Sequence, residues 1–284
     1  MIIDFHAHIF PPKIKNDRTD YLARDRGFDE LYSNPAAKIA TAEDLVASMD
    51  EAGIDASVAL NFGWSDPELC RETNDYIMES STRFPKRLYG FGMVQPTSGE
   101  RAVDEIKRCA KGGLKGIGEL RSDAQGFDLN DKETMTPLVE AMVKNDMTLL
   151  THASEPLGHE YPGKGTITPD IIFRFAASFP KLKLVCAHWG GGLPFFALMP
   201  EVKKAVANVY FDTAASLFLY NAQIFNQAVA IVGPEKILFG TDYPLLSPTR
   251  VMKEIKPLKL GKETERLILG GNAEKLLDIC GCGF

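Results

Sequence analysis

Basic charge, cysteine and long apolar runs are all in short supply in this 284-residue chain, and each shortage excludes something. Lys and Arg number 32 against 38 Asp and Glu, a formal net charge of −6, which argues against a surface that holds nucleic acid or anionic membrane by bulk charge. The five cysteines, at 70, 109, 186, 280 and 282, are odd in number and scattered, which suits reduced thiols rather than a disulfide framework. Cys280-Gly281-Cys282 is the one close pair, and at the chain end it reads as a tail rather than a metal or redox motif. No apolar run approaches the ~18 residues that span a bilayer, and the N-terminus lacks the basic and apolar segments of a signal peptide, so the expected location is the cytoplasm.

What is present suits a folded enzyme-sized domain: 45% hydrophobic and 25% charged residues give ample core. Strand-like runs recur near residues 2–6, 54–61, 88–94, 114–119, 147–152, 182–188, 208–213 and 237–241, each followed by a stretch with helical spacing. Most of the runs are continuously apolar, as parallel strands buried on both faces are. Eight βα units predict an α/β fold, a distorted (β/α)8 TIM barrel formed as a single domain over 1–284. Thr41-Ala42-Glu43-Asp44 signals a helix cap, residues 137–143 have helical period, and Gly112-Gly113 ends another helix. Two segments depart from a minimal barrel. Residues 9–40 read as an irregular insertion that roofs the site, and residues 154–165, after the fifth strand, read as a second wall. About 262–280 reads as an extra C-terminal helical segment stopped and recapped at Gly270-Gly271-Asn272.

Histidine is scarce too, yet four of the five end strand-like runs: His6 and His8 on the first, His152 on the fifth and His188 on the sixth, while Asp242 ends the eighth and Glu119 the fourth. A lone histidine is more often a packed or surface residue. In a parallel barrel, however, all strand C-termini emerge on one side, so these residues converge, and a His-x-His pair aims both rings the same way. By the same alternation Asp4 shares the side of His6 and His8, one step deeper. Imidazole and carboxylate are the donors that a zinc-like ion takes, with manganese the other candidate. His6, His8, His152, His188 and Asp242 therefore read as one metal site, with Glu119 at the end of the fourth strand beside them.

The motifs Ile3-Asp4-Phe5-His6-Ala7-His8, Ala187-His188-Trp189-Gly190-Gly191, Gly240-Thr241-Asp242-Tyr243-Pro244 and Gly271-Asn272-Ala273 span the chain and resemble the amidohydrolase superfamily. The match is to its amidohydrolase-related branch, which contains aminocarboxymuconate-semialdehyde decarboxylase and lactone hydrolases. The resemblance implies a divalent metal, usually zinc, on His6, His8, His152 and Asp242, and His188 beside it as acid/base. Glu119 stands where many two-metal relatives have a bridging lysine or glutamate: either it ligates, with one ion on His6, His8, Glu119 and Asp242 and a second on Glu119, His152 and His188, or it pairs with Arg121 at the rim. It also implies a homo-oligomer, often a dimer.

The first functional expectation is a metal-dependent hydrolase cleaving a C–N or C–O bond of an amide- or lactone-type small organic acid, since the ion acidifies its water and Asp242 and His188 handle protons. The alternative is non-oxidative decarboxylation of an aromatic or muconate-like acid. A further alternative is a nuclease or phosphoesterase, because the ligand order also resembles TatD-type deoxyribonucleases; the acidic charge disfavours it. The expected partner is thus a small-molecule substrate, with no nucleic acid and no membrane. Asn61, Gln95 and Arg121 are the candidate substrate-binding residues, Arg121 as a bidentate carboxylate receptor. Trp189 and Tyr243 either line an aromatic pocket or pack in the core.

Overall fold

The computed structural model describes residues 1–279, and the Cys280-Gly281-Cys282 motif lies outside them. Eight parallel strands follow one another around the sheet in chain order: Ile3–His8 (β1), Ala56–Leu60 (β2), Leu88–Gly92 (β3), Gly116–Leu120 (β4), Thr148–Thr151 (β5), Lys183–Cys186 (β6), Val209–Asp212 (β7) and Ile237–Leu238 (β8). The ring is joined where Phe5 N donates to Phe239 O at 2.7 Å, His8 N to Tyr243 O at 2.7 Å and Asp242 N to His6 O at 2.8 Å. The barrel is distorted in the expected sense, with β8 only two residues long.

Its register slips at two places, between Asp4 and Ala7 on β1 and between Ile117 and Leu120 on β4. The first slip overturns the simple alternation. Ile3 and Phe5 pack in the barrel's inner cluster with Phe91, Leu150, Val185 and Leu238, whereas Ala7 packs in the outer layer beneath the helices. The extra residue of the bulge puts His6 directly after Phe5 on the inner side, and Asp4 is turned away from the two histidines. Asp4 instead joins β1 to the segment after β8, accepting from His6 N at 3.1 Å, Thr241 N at 3.0 Å and Thr241 Oγ1 at 2.5 Å. Burial pushes its carboxyl up to about 7 against these hydrogen bonds.

The helix signals correspond to real helices. Thr41 and Asp44 form a reciprocal capping box at Ala42–Ala52, Lys132–Lys144 runs through Pro137, and Glu100–Lys111 stops at Gly112. The insertion is more regular than its sequence suggests, with three short helices, Pro12–Asn16, Arg18–Arg24 and Arg26–Tyr32. Pro12 presets the first turn and Asp25 caps the third by accepting from Phe28 N at 2.9 Å. Each helix carries one central buried anchor, Ile14, Tyr21 or Phe28, too sparse a signal for periodicity to register. Phe28 stacks on Trp64 with ring centroids 5.0 Å apart, which ties this roof to the segment after β2.

The C-terminal segment also differs from expectation. The helix does not stop at the glycine pair but passes through a π turn, Leu267–Gly271, into Asn272–Leu276. Asn272 is no cap. Its Nδ2 donates to Pro234 O and Ile237 O, both at 2.8 Å, and a Cβ at Gly270 would stand 2.1 Å from Met1 O, so the glycine serves close approach to the N-terminus. Among the described residues no helix is long and apolar enough to cross a membrane.

Candidate metal centre

His6 and His8, brought to one side by the bulge, face each other with their Nε2 atoms 3.1 Å apart. Glu119 Oε2 lies 3.6 Å from His6 Nε2 and 3.4 Å from His8 Nε2, and Asp242 Oδ1 lies 3.6 Å from each. Donors ~2.0–2.2 Å from one ion are themselves roughly 3.0–3.5 Å apart, so this is the spacing of atoms around a shared cation. On its other side Glu119 Oε1 meets His152 Nδ1 at 2.9 Å and His188 Nε2 at 3.4 Å. The side chains form three overlapping groups able to hold an ion: His6, His8 and Glu119; His6, His188 and Asp242; and Glu119, His152 and His188. His152 thus sits with Glu119 and His188, the grouping of the two-ion arrangement and not that of the single-ion set His6, His8, His152 and Asp242. Glu119 faces inward between the two histidine pairs; its expected alternative partner Arg121 turns elsewhere.

Backbone geometry sets these directions. His188 and Trp189 have φ of +54° and +58°, and Gly190 and Gly191 continue the left-handed run. A Cβ on Gly191 would come within 2.3 Å of Ser154 O, so only glycine lets the loop after β6 close against the loop after β5. At Gly118 a Cβ would stand 2.6 Å from Leu150 O, which makes the same demand just before Glu119.

One residue of the centre escaped the sequence reading. Asp212, fully buried at the end of β7, accepts from His6 Nδ1 at 2.8 Å and from the backbone N–H groups of His188 at 2.9 Å and Ala214 at 3.0 Å. It orients His6 and anchors the turn that carries His188, the usual job of a carboxylate behind a metal-binding imidazole. The available signal was positional, since Asp212 ends its strand as the histidines do.

The electrostatics favour a cation. Burial opposes a charge on His6, but Asp212 and Glu119 outweigh it and hold the ring well above its usual pKa. Burial likewise opposes a charge on His188, while the hydrogen bond and charge of Glu119 carry it up to about 9. His152 is held below the usual range, mainly by burial. Burial would raise Glu119, yet the surrounding imidazoles, His6 first, hold it well below the carboxylate range. Two inward carboxylates among four imidazoles, with ligand-like spacing, fit a divalent metal.

The candidate substrate residues diverge. Asn61 is committed to the protein, with Nδ2 donating to Asn74 Oδ1 at 2.8 Å and Oδ1 accepting from Phe62 N at 2.8 Å and Trp64 Nε1 at 3.3 Å. Gln95 Nε2 donates to Ser65 O and Gln125 O, also a structural use. Trp189 is core, its Nε1 donating to Ser216 Oγ at 2.6 Å, and Tyr243 Oη donates to Asp44 O at 3.1 Å. Arg121 is buried, but only its Nη2 has a hydrogen bond, to Gly163 O at 3.2 Å; Nε and Nη1 have none.

Comparison with known proteins agrees with this geometry. Residues 3–279 match the amidohydrolase family. The chain is 24% identical to 2-amino-3-carboxymuconate-6-semialdehyde decarboxylase of Dictyostelium discoideum, covering 98% of this chain and 91% of that one. It is 23% identical to gamma-resorcylate decarboxylase of a Polaromonas species, covering 82% and 86%. Among solved structures, 5-carboxyvanillate decarboxylase from Sphingomonas paucimobilis superposes with a TM-score of 0.82 at 18% identity, covering 98% of this chain and 99% of that one. The dihydroxybenzoic acid decarboxylase of Polaromonas, solved with manganese and 2-nitroresorcinol, superposes with a TM-score of 0.75 at 20% identity over 98% of this chain and 97% of that one.

Proposed function

The chain belongs to the amidohydrolase family, and on that premise we propose that it is a divalent-metal decarboxylase of a small aromatic or muconate-like acid. This reverses the order of the sequence expectations, which put hydrolysis first. Support for the reversal comes from the relatives, which are decarboxylases alike over nearly the whole chain. The proposed ligands are His6, His8 and Asp242 with Glu119, and the ion is zinc or manganese, both of which accept imidazole and carboxylate. When bound, such an ion holds the reacting carboxylate and stabilises the negative charge that develops as CO2 leaves.

The observation that carries the reading is the place of His188, grouped with His6 and Asp242 while its Nε2 is 3.4 Å from Glu119. Its backbone is held by Asp212, so its ring can deliver a proton from Nε2 to the substrate carbon as the C–C bond breaks. Asp242, with 16% of its side chain exposed against 8% for Glu119, is the more open of the two inward carboxylates. Carbon dioxide release from 2,6-dihydroxybenzoate and related aromatic acids, measured on metal-loaded protein, tests the proposal. Release from at least one such acid is expected, and none from any of them rejects it.

Hydrolysis of an amide or lactone remains a second reading because one observation favours it: Glu119 spans both histidine pairs, as a carboxylate bridging two ions would. Metal content separates the two. A ratio near one ion per chain goes with decarboxylation and a free His188, and a ratio near two goes with hydrolysis.

A further inference from the structure

We propose that Asp4 and Thr241 act as a positioning pair that sets His6 against Asp242 and so governs how tightly the centre holds its ion. Neither is itself a donor to the centre: both are fully buried, and neither belongs to a group of side chains able to hold an ion. The inference rests on the ligand set proposed above, in which His6 and Asp242 share one ion.

The problem that the pair solves is geometric. His6 and Asp242 come from opposite ends of the chain, and both leave regular backbone where they meet. Phe5 and His6 fall inside the register slip of β1, outside its pairing with β2. Asp242 has φ of +66°, a left-handed conformation that a residue with a Cβ holds only when its surroundings impose it. Asp4 Oδ1 accepts from both sides of the junction, from His6 N at 3.1 Å and from Thr241 N at 3.0 Å, although Asp4 and Thr241 are 237 residues apart. Thr241 Oγ1 then straddles Asp242. It donates to Asp4 Oδ2 at 2.5 Å and accepts from Tyr243 N at 3.2 Å, on the far side of that residue. His6 O completes the circuit by accepting from Asp242 N at 2.8 Å. A carboxylate suits the first position because three donors converge on it, and a hydroxyl suits the second because it donates and accepts at once. Gly240 keeps the junction close, since a Cβ there would stand 2.9 Å from His6 Cβ. Donors fixed before the ion arrives lose little freedom on binding it, so loosening the pair should appear as lost affinity and not only as lost stability.

Competition of metal-free protein for zinc against a chromophoric chelator, with thermal melts of the same samples, tests this. Thr241→Val, which keeps the shape and removes the hydroxyl, should weaken zinc binding about 10–100-fold, and Thr241→Ser should return it to within about threefold of the wild type. Asn272→Ala frees Ile237 O, at the other end of the same segment; it should lower the melting temperature yet leave affinity within about threefold. Unchanged affinity in Thr241→Val, or an equal loss in Asn272→Ala, overturns the pair's role, since its bonds would then serve the fold alone. If Thr241→Val does not fold, Asp4→Asn takes its place: its amide keeps Oδ1 but cannot accept from the Thr241 hydroxyl, and the same loss of affinity is required. A wild type that binds no zinc removes the ligand set and the pair with it, whereas a wild type that binds zinc no better than the variants removes the pair alone.

Discussion

At the barrel mouth, the metal centre and a neighbouring cleft of about 180 Å³ are built by opposite means. Every side chain of the centre comes from a strand end or the turn just after it, all are nearly buried, and Asp212 holds two of them from behind. The cleft draws Arg26 and Glu30 from an inserted helix and Lys164 from a loop, and only Arg121 comes from the end of a strand. On the decarboxylase reading, the difference puts the proposed chemistry on residues fixed by the strands and leaves the cleft beside it to inserted segments and loops.

The sharpest way to break that contrast is at the centre. His6→Ala should abolish both metal binding and turnover, measured by mass-spectrometric metal analysis and CO2 release; retained stoichiometric metal would mean that His6 is not a ligand. His188→Ala should keep the metal but lower kcat by about 10²–10⁴, the usual weight of a positioned acid or base. Wild-type turnover in that variant would remove His188 from the chemistry.

The same variant sharpens the electrostatic side. In chelator-treated protein the His188 pKa is raised from 6.5 to about 9, so its stabilising contribution is complete below pH 6.5 and is lost as pH rises through 9. Thermal melts should therefore decline between pH 7 and 9, and His188→Ala should flatten that decline; an identical slope in both proteins would show that His188 does not set it.

A smaller effect is expected behind the ligands. Asp212→Asn should weaken metal affinity by about 10–100-fold while leaving the fold intact, because it disturbs the orientation of His6 rather than removing a donor. Competition against a chelator measures it, and unchanged affinity would make Asp212 purely structural. The smallest change belongs to the roof. Glu30→Ala cuts its hydrogen bond to Gly163 and should raise KM about two- to fivefold with kcat nearly unchanged, consistent with loss of one modest contact. A larger fall in kcat than in affinity would place the roof in the chemistry and erase the contrast.

Much of the centre was legible in the chain. Eight mostly apolar runs located the strands, and His6, His8, Glu119, His152, His188 and Asp242, at the ends of five of them, located where those ends converge. Asp212 was missed because a single Asp at a strand end carries no ligand spacing of its own. Asp4 was placed on the wrong face because period-two alternation fails across a bulge, and nothing local in Ile2-Ile3-Asp4-Phe5 marks one. Asn61 and Gln95 stood just past strand ends, yet Phe62, Trp64 and Asn74 claim the amide of Asn61, and Ser65 O and Gln125 O take the Nε2 of Gln95. The three helices of the insertion were hidden because each has a single central buried anchor.

The amino-acid order alone determined the barrel and the kind of centre it carries, because strand period, helix caps and donor types are local properties that survive being read one residue at a time. Tertiary structure alone decided which carboxylate faces which imidazole, that Glu119 stands between two pairs, and that Arg121 is buried with two unpartnered N–H groups. Those outcomes depend on bulges, left-handed turns and close backbone approach between segments well separated along the chain, and no short stretch of sequence encodes such relations.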